Sequence, residues 1–264
     1  MSDVTAMPDG RELVSAANVD AAGGGGLLIA IPAYNEAQSL PGTLAELSAC
    51  LPGCHVVVVS DGSSDASASV ARSTGAAVLE LPFNLGIGGA LRTAFRYAVL
   101  RGYDRAVQFD ADGQHDPREI AKLVAGLDRG LDLVIGSRFA SGGEVTYPIS
   151  ATRRRSMSVL RNLVKALVGE TFTDTTSGFR AFSRPMLEYF ADTYPVEYLD
   201  SVEALVLACN AGFAVGEVPV RIRSRSYGAP STRRVRLAYY YLRLLVVMVT
   251  SVRRHRRTRR QAST

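Results

Sequence analysis

Cysteine is scarce in this chain, and its scarcity excludes a disulfide scaffold. Cys50, Cys54 and Cys209 are the whole complement of 264 residues. They lack framework spacing and fit packed thiols in a reducing compartment. Cys50 and Cys54 beside His55 are metal-ligand types, but no fourth ligand stands out, so no structural metal site is expected there. Long apolar runs are also missing. No stretch reaches the roughly 18–20 uncharged apolar residues that span a bilayer, so no transmembrane helix is expected. Residues 1–26 are polar, end in Gly23-Gly24-Gly25-Gly26, and lack the basic start and apolar middle of a signal peptide. They are expected to be a disordered N-terminal segment that does not direct export. From Arg225 to Thr264 there is neither lysine nor acid, only 11 arginines among the charged residues. The net charge of +5 therefore divides into a mildly acidic body, 19 basic against 25 acidic side chains, and a strongly basic end. Such an end points to an anionic partner, either a membrane or a nucleic acid.

What is present is enough for a core. With 47% hydrophobic residues the body is not disordered, and the length suits one large α/β domain with appendages. Strand and helix patterns alternate. Leu27–Ile31, His55–Ser60, Ala77–Leu81, Arg105–Phe109 and Leu131–Ile135 read as strands. Helices are expected near Ser39–Ser48, from an Asp65 cap to Thr74 with Gly75 as terminator, over Ile87–Leu100, and behind Asp116-Pro117. In that last helix Ile120, Leu123, Val124 and Leu127 fall at helical spacing. This βαβα rhythm with near-continuous apolar strands predicts a mostly parallel sheet covered on both faces. Beyond residue 140 the rhythm changes. Helices are expected over Arg154–Val168, Pro185–Asp192 and Ser201–Ala211, with a loop at Thr173–Arg180 and a strand near Val215–Ile222.

Ligands of such sheets sit at the carboxyl ends of the strands. The loop after the fourth strand reads Asp110-Ala111-Asp112-Gly113-Gln114-His115-Asp116-Pro117. Residues two apart on an extended chain point the same way, so Asp110 and Asp112 can face one point. Two carboxylates and the Gln114 amide oxygen make a hard oxygen-donor set suited to Mg²⁺ or Mn²⁺ with a substrate diphosphate. Asp116 is expected only to cap the next helix, and His115 to support the loop as readily as to bind metal. After the first strand stands Pro32-Ala33-Tyr34-Asn35-Glu36, and after the second Ser60-Asp61-Gly62-Ser63-Ser64-Asp65. Asp61 can accept hydrogen bonds from a base or ribose, although Gly62 and the serines also favour a plain turn. Asn84-Leu85-Gly86-Ile87-Gly88-Gly89 opens a helix and lets backbone approach a ligand. It is not a dinucleotide fingerprint, because Leu91 stands where the third glycine belongs.

In this order and spacing the four segments resemble the family 2 glycosyltransferases of the GT-A fold, in particular their dolichol-phosphate mannosyltransferase-like branch, over roughly residues 27–235. The resemblance implies that Pro32, Tyr34, Glu36, Asp61 and Gly86, with Asp110, Ala111 and Asp112, hold a nucleoside-diphosphate sugar. It implies that Asp110, Asp112 and Gln114 bind the metal and that Asp110 and Asp112 are the catalytic carboxylates. Ser60 departs from a second aspartate often found there. Ile135-Gly136-Ser137-Arg138, Arg154-Arg155 with Ser158 and Asn162, Thr173–Arg180, and Glu217–Val220 followed by Arg225, Gly228 and Ser231 resemble motifs of the same branch. By position, Arg138, Arg154, Ser158 and Arg225 would hold the phosphate of a polyprenyl phosphate acceptor. Arginines sit poorly at a helix N-terminus, where the macrodipole is positive, and a phosphate partner would relieve Arg154. Glu203, on an expected helix, either faces the acceptor or has a solvated or structural role.

The expected activity is metal-dependent, inverting transfer of the sugar to the lipid phosphate. An acceptor hydroxyl on a lipid-linked or cell-wall intermediate is the nearest alternative, and a basic-tailed membrane or nucleic-acid binding protein the non-enzymatic one. The GT-A domain is expected over 27–231, followed by an apolar helix and basic tail over 232–264. Leu237–Val252 is interrupted by Arg243, carries Tyr239, Tyr240 and Tyr241, and is followed by six arginines from Arg253 to Arg260. That pattern predicts peripheral attachment to the anionic inner face of the cell membrane from the cytoplasm, with no nucleic-acid partner. A homo-oligomer is compatible with it, as is a dimerisation helix at 237–252.

Overall fold

The computed structural model describes residues 26–145, 151–196 and 200–224. The expected disordered start, the apolar helix and arginine tail, and Arg225, Gly228 and Ser231 lie outside these residues. So does the side chain of Arg154.

The seven-stranded sheet is built from β1 (Leu27–Ala33), β2 (His55–Asp61), β3 (Ala77–Leu81), β4 (Arg105–Gln108), β5 (Leu133–Ser137), β7 (Arg180–Ser183) and β8 (Val215–Pro219). Their spatial order is β3-β2-β1-β4-β7-β5-β8. All neighbours are parallel except those of β7, which runs antiparallel to both β4 and β5. A small second sheet pairs β6 (Glu144–Val145) with β9 (Arg221–Ile222) in parallel.

Alternation along the strands divides the core between two faces. In β1, Leu28 and Ala30 pack on one side while Leu27, Ile29, Ile31 and Ala33 pack on the other. The first side is covered by α3 (Ile87–Leu100), α5 (Ala151–Val168), α6 (Arg184–Thr193) and α7 (Asp200–Asn210). At its centre Phe95 lies against Phe182, with ring centroids 4.7 Å apart, and edge-on to Tyr194 at 5.1 Å. The second side is covered by α1 (Leu40–Cys50) and α4 (Ile120–Asp128). The spacing of Ile120, Leu123, Val124 and Leu127 does place them on the buried face of α4. Gly126 lets that helix approach the sheet, since a Cβ there would lie 2.8 Å from Val134.

Two expectations of local structure change. The segment ending at Arg180, read as a loop, leads directly into β7, a strand that periodicity did not reveal. It has four residues, begins with a fully buried arginine, and ends at Ser183, whose hydroxyl accepts the Met186 N–H and opens α6. Strand and helix adjoin without a loop, so Ser183 and Pro185 announce the helix while the few residues before them are too short to show a strand period. The strand expected over Val215–Ile222 is broken after Pro219, and its remainder, β9, joins the small sheet. The helix behind Asp65, α2 (Ser67–Ser73), starts at Ser67, with Asp65 Oδ1 accepting the Ser67 N–H from just outside it.

Candidate active site

The parallel strands β1, β2, β4 and β5 all deliver their carboxyl ends to one edge of the sheet, which gathers the expected loops. The first two loops are sewn together by side chains. Asn35 adopts a left-handed conformation at φ 56°, which its short polar side chain tolerates. Its Oδ1 accepts the Ser64 N–H at 2.8 Å, and its own N–H donates to Ser63 Oγ at 3.2 Å. The Glu36 N–H donates to Ser67 Oγ and the Ala37 N–H to Asp65 Oδ2. The serines and Asp65 of the second loop thus grip the first. The Glu36 carboxylate takes the Ser39 hydroxyl at the start of α1. Tyr34 is left exposed beside them.

Asp61, buried at the end of β2, reaches the third loop. Its Oδ1 accepts the Leu85 N–H at 2.7 Å and its Oδ2 the Gly86 N–H at 2.8 Å. Burial pushes this carboxyl above its ordinary range, against the two N–H donors that favour the charged form. The approach is close enough to demand glycine at 62, where φ is +62° and a Cβ would stand 2.5 Å from the Asn84 nitrogen. Tyr34, Glu36, Asp61 and Gly86 therefore stand on or beside loops tied to one another, and Pro32 precedes them on β1.

The acidic loop is ordered from within and without. The Asp110 N–H donates to His115 Nδ1 at 3.0 Å, and the His115 ring stacks on Phe179 at 4.5 Å. Burial lowers the His115 pKa, opposed by the nearby Asp110 and Asp112, so the ring serves as a neutral acceptor. That is a loop-supporting part. Asp112, also buried, accepts the Gln114 N–H on Oδ1, and the Ala111 carbonyl takes the Thr43 hydroxyl from α1. The Gln114 amide donates through Nε2 to the Arg223 carbonyl at 3.1 Å. Arg223 returns an N–H to the Gln114 carbonyl and bridges Glu46 and Asp116 with its guanidinium. Burial alone would raise the Asp116 carboxyl, but hydrogen bonds from Arg118 and Arg223 hold it at about 2.

Asp110, Asp112 and Gln114 are thus brought to one loop as hard oxygen donors, a set that suits Mg²⁺ or Mn²⁺. Among the described residues no group of three or more His, Cys, Asp or Glu is arranged for a metal, Cys50, Cys54 and His55 included. A cation on the acidic loop would rely on two carboxylates, the Gln114 amide and substrate oxygens. Sequence reasoning passed over two residues here. Arg223 had no motif to mark it. Gln108, fully buried on β4, has both side-chain heteroatoms without a hydrogen-bond partner. Its only signal was polarity inside an apolar strand. Gly178 packs against it, since a Cβ there would lie 3.1 Å from both Gln108 Nε2 and Asp110 Oδ2.

The loop carrying Gly178 also organises the far side of the site. Glu217 on β8 accepts the Thr173 N–H at 2.7 Å and the Asp174 N–H at 2.8 Å. Arg180 donates to the Ser177 and Thr175 carbonyls from β7. Asp174, so positioned, binds the Arg138 guanidinium, which also lies over the Phe139 ring at 5.4 Å. Arg138 meets the site already paired with a carboxylate. Ser158 is half-buried on α5.

The profile of "Glycosyl transferase family 2" matches residues 28–190. Polyprenol monophosphomannose synthase of Mycolicibacterium smegmatis is 35% identical over 212 residues, covering 76% of this chain and 78% of that protein. Undecaprenyl-phosphate mannosyltransferase of Micrococcus luteus is 35% identical over 218 residues, covering 76% and 85%. Among solved structures, glucosyl-3-phosphoglycerate synthase from Mycobacterium tuberculosis, crystallised with Mn²⁺, uridine diphosphate and glucosyl-3-phosphoglycerate, superposes with a TM-score of 0.63. It shares 22% identity and covers 86% of this chain and 79% of its own, a likeness of fold.

Proposed function

The chain belongs to glycosyl transferase family 2, a glycosyltransferase on a GT-A sheet, and we propose that it transfers a sugar from a nucleoside-diphosphate sugar to a polyprenyl phosphate with inversion. The observation that carries the reading is the Asp110–Gln114 loop at the end of β4. Two carboxylates and the Gln114 amide stand there as hard oxygen donors, at the same sheet edge as the loops of Asp61 and Gly86. The relatives named polyprenol monophosphomannose synthase and undecaprenyl-phosphate mannosyltransferase support a polyprenyl phosphate as the acceptor.

Pro32, Tyr34, Glu36, Asp61 and Gly86, with Ala111, form the nucleotide-sugar pocket in this reading. Asp110, Asp112 and the Gln114 Oε1 would hold Mg²⁺ or Mn²⁺, which when bound neutralises charge on the departing diphosphate. An oxygen of the acceptor phosphate bonds to the anomeric carbon as the bond from that carbon to the diphosphate breaks. The nucleoside diphosphate leaves with the electron pair. A phosphate monoester has a second pKa of about 6, so the acceptor is largely dianionic at neutral pH and needs placement more than deprotonation. Arg138, Arg154, Ser158 and Arg225 supply that placement. Residues 27–231 form the catalytic domain, and the segment over 232–264 attaches it to the anionic inner face of the membrane from the cytoplasm. No helix among the described residues is long and apolar enough to cross a membrane.

One observation favours a second reading, transfer to a hydroxyl. The Asp174 carboxylate offsets the Arg138 charge and leaves less of it for an acceptor phosphate. A screen of nucleotide sugars with Mg²⁺ or Mn²⁺, offering polyprenyl phosphate and polyprenol side by side, separates the two. Sugar on the phosphate alone is expected. Sugar on polyprenol alone overturns the phosphate reading, and no lipid-linked product with any donor overturns both.

A further inference from the structure

Large apolar side chains that reach solvent are unevenly distributed on this protein. Among the described residues they are Tyr34, Phe83, Leu85, Ile87, Leu100, Phe139, Val159 and Val196. Five of these eight follow strand ends at the edge that carries the acidic loop, and a sixth, Val196, reaches that edge after a helix. Tyr34 follows β1, Phe139 follows β5, and Phe83, Leu85 and Ile87 run from the end of β3 into α3. Val196 follows α6, which rises from the opposite edge, and its backbone abuts the α3 start. A Cβ at Gly88 would lie 2.8 Å from Val196 Cα, and one at Gly86 would lie 3.4 Å from the Val196 carbonyl oxygen. Leu100, the most exposed at 84%, closes α3 at the far edge and serves as an internal contrast.

Scattered exposed hydrophobics are ordinary, whereas a cluster on one face marks a contact surface. Phe83, Leu85, Ile87 and Val196 form the continuous part of this cluster. The backbone beneath them is tied down, because Asp61 holds the Leu85 and Gly86 N–H groups. Their exposure therefore belongs to a braced rim.

The described chain ends at the same edge. Its last residue, Ser224, is one past Arg223, which pairs with Gln114 in the acidic loop. The forty residues that follow carry 11 arginines and no acid. Apolar side chains at the edge where the described chain ends, and a basic sequence beyond it, match the two layers of an anionic bilayer, acyl chains below charged headgroups.

We propose that the rim formed by Phe83, Leu85, Ile87 and Val196 dips into the surface of an anionic lipid bilayer, so that the carboxyl edge of the sheet faces the membrane. The inference rests on the proposed lipid-phosphate acceptor, and it explains how a donor site in water meets a phosphate fixed at a bilayer surface. The rim sets the orientation, and the basic segment supplies attraction in any orientation.

The chain contains no tryptophan, so one substitution creates a single reporter. Full-length Phe83→Trp, Val196→Trp and Leu100→Trp variants are mixed with phosphatidylglycerol–phosphatidylethanolamine vesicles, plain or brominated on the acyl chains. Tryptophan at 83 and 196 is expected to shift to shorter wavelength and lose more than half its emission to brominated lipid, while tryptophan at 100 responds to neither. Two rim probes keep the test open if one variant fails to fold. Equal or stronger quenching at 100, absence of vesicle binding, or rim shifts that follow protein concentration without lipid each overturn the proposal; the last would identify a second copy of the chain as occupant. Transfer assayed in detergent separates the two readings. Responsive rim probes without lipid-phosphate transfer defeat the acceptor reading alone, and transfer with silent rim probes defeats the rim alone.

Discussion

The guanidinium of Arg138 is held across both carboxylate oxygens of Asp174, with Nε 2.6 Å from Oδ2 and Nη2 2.8 Å from Oδ1. Asp174 is fully buried and Arg138 nearly so. Removing one partner of such a pair strands the other's charge away from water, which costs about 3–5 kcal/mol. Asp174→Ala is therefore expected to lower stability by that amount in urea unfolding. Replacing both partners, as Arg138→Met with Asp174→Leu, is expected to cost less than Asp174→Ala alone. A double variant at least as unstable as the sum of the singles contradicts the pairing.

The acidic loop allows charge to be removed without losing shape. Asp112→Asn keeps an oxygen for the Gln114 N–H, so thermal unfolding is expected to stay near that of the parent. Loss of the negative charge is expected to reduce sugar transfer on the order of 10²–10³-fold, the scale of losing one preorganised electrostatic contact. Mn²⁺ affinity, read by electron paramagnetic resonance, should fall with it. Parent-level turnover by this variant in excess chelator sinks the metal mechanism.

Two helical glycines give opposite expectations. Alanine generally favours a helix over glycine by up to about 1 kcal/mol. Gly42 in α1 has nothing within 4 Å of a new Cβ, so Gly42→Ala is expected to be neutral or mildly stabilising. At Gly88 the same Cβ would lie 2.0 Å from the Pro195 carbonyl oxygen, a backbone atom that cannot swing aside. Gly88→Ala is expected to destabilise by roughly 1–3 kcal/mol through overpacking. Equal effects at the two sites, from denaturant midpoints, would show that α3 and the Pro195 backbone are not in contact.

Burial, reinforced by Glu170, pushes the Cys209 thiol up to about 12. Only the thiolate reacts, and its fraction at pH 8.5 is then on the order of 0.1% or less. Alkylation of Cys209 in the folded protein should stay slow from pH 7 to 9, then accelerate in denaturant, where the ordinary thiol pKa returns. Rapid labelling at pH 8 without denaturant argues against this environment.

Much of this protein was legible before any contact was known. The apolar runs of β1 and β2 are continuous because both sheet faces are covered, and local composition reports that directly. Asp110 and Asp112 could be set at a strand end because the apolar residues before them and the Asp116-Pro117 helix start after them are local signals. The helical spacing of Ile120, Leu123, Val124 and Leu127 identified the buried side of α4 for the same reason. Each of these features depends on neighbours a few residues away.

The tertiary structure alone decided what depends on distant partners. Four residues around a buried Arg180 carry no strand period, and β7 exists because β4 and β5 both offer it hydrogen bonds. Its insertion brings Gly178 against Gln108 and Asp110, and it lets Arg180 and Glu217 shape the loop in which Asp174 captures Arg138. These partners come from separate strands, so no local pattern could announce them. Arg223 shows the same division: in sequence it is one arginine of many, and only pairing with Gln114, Glu46 and Asp116 makes it the brace of the acidic loop. Periodicity encodes which face of an element is apolar. Which elements then meet, and which charges must neutralise each other once water is gone, is settled by packing.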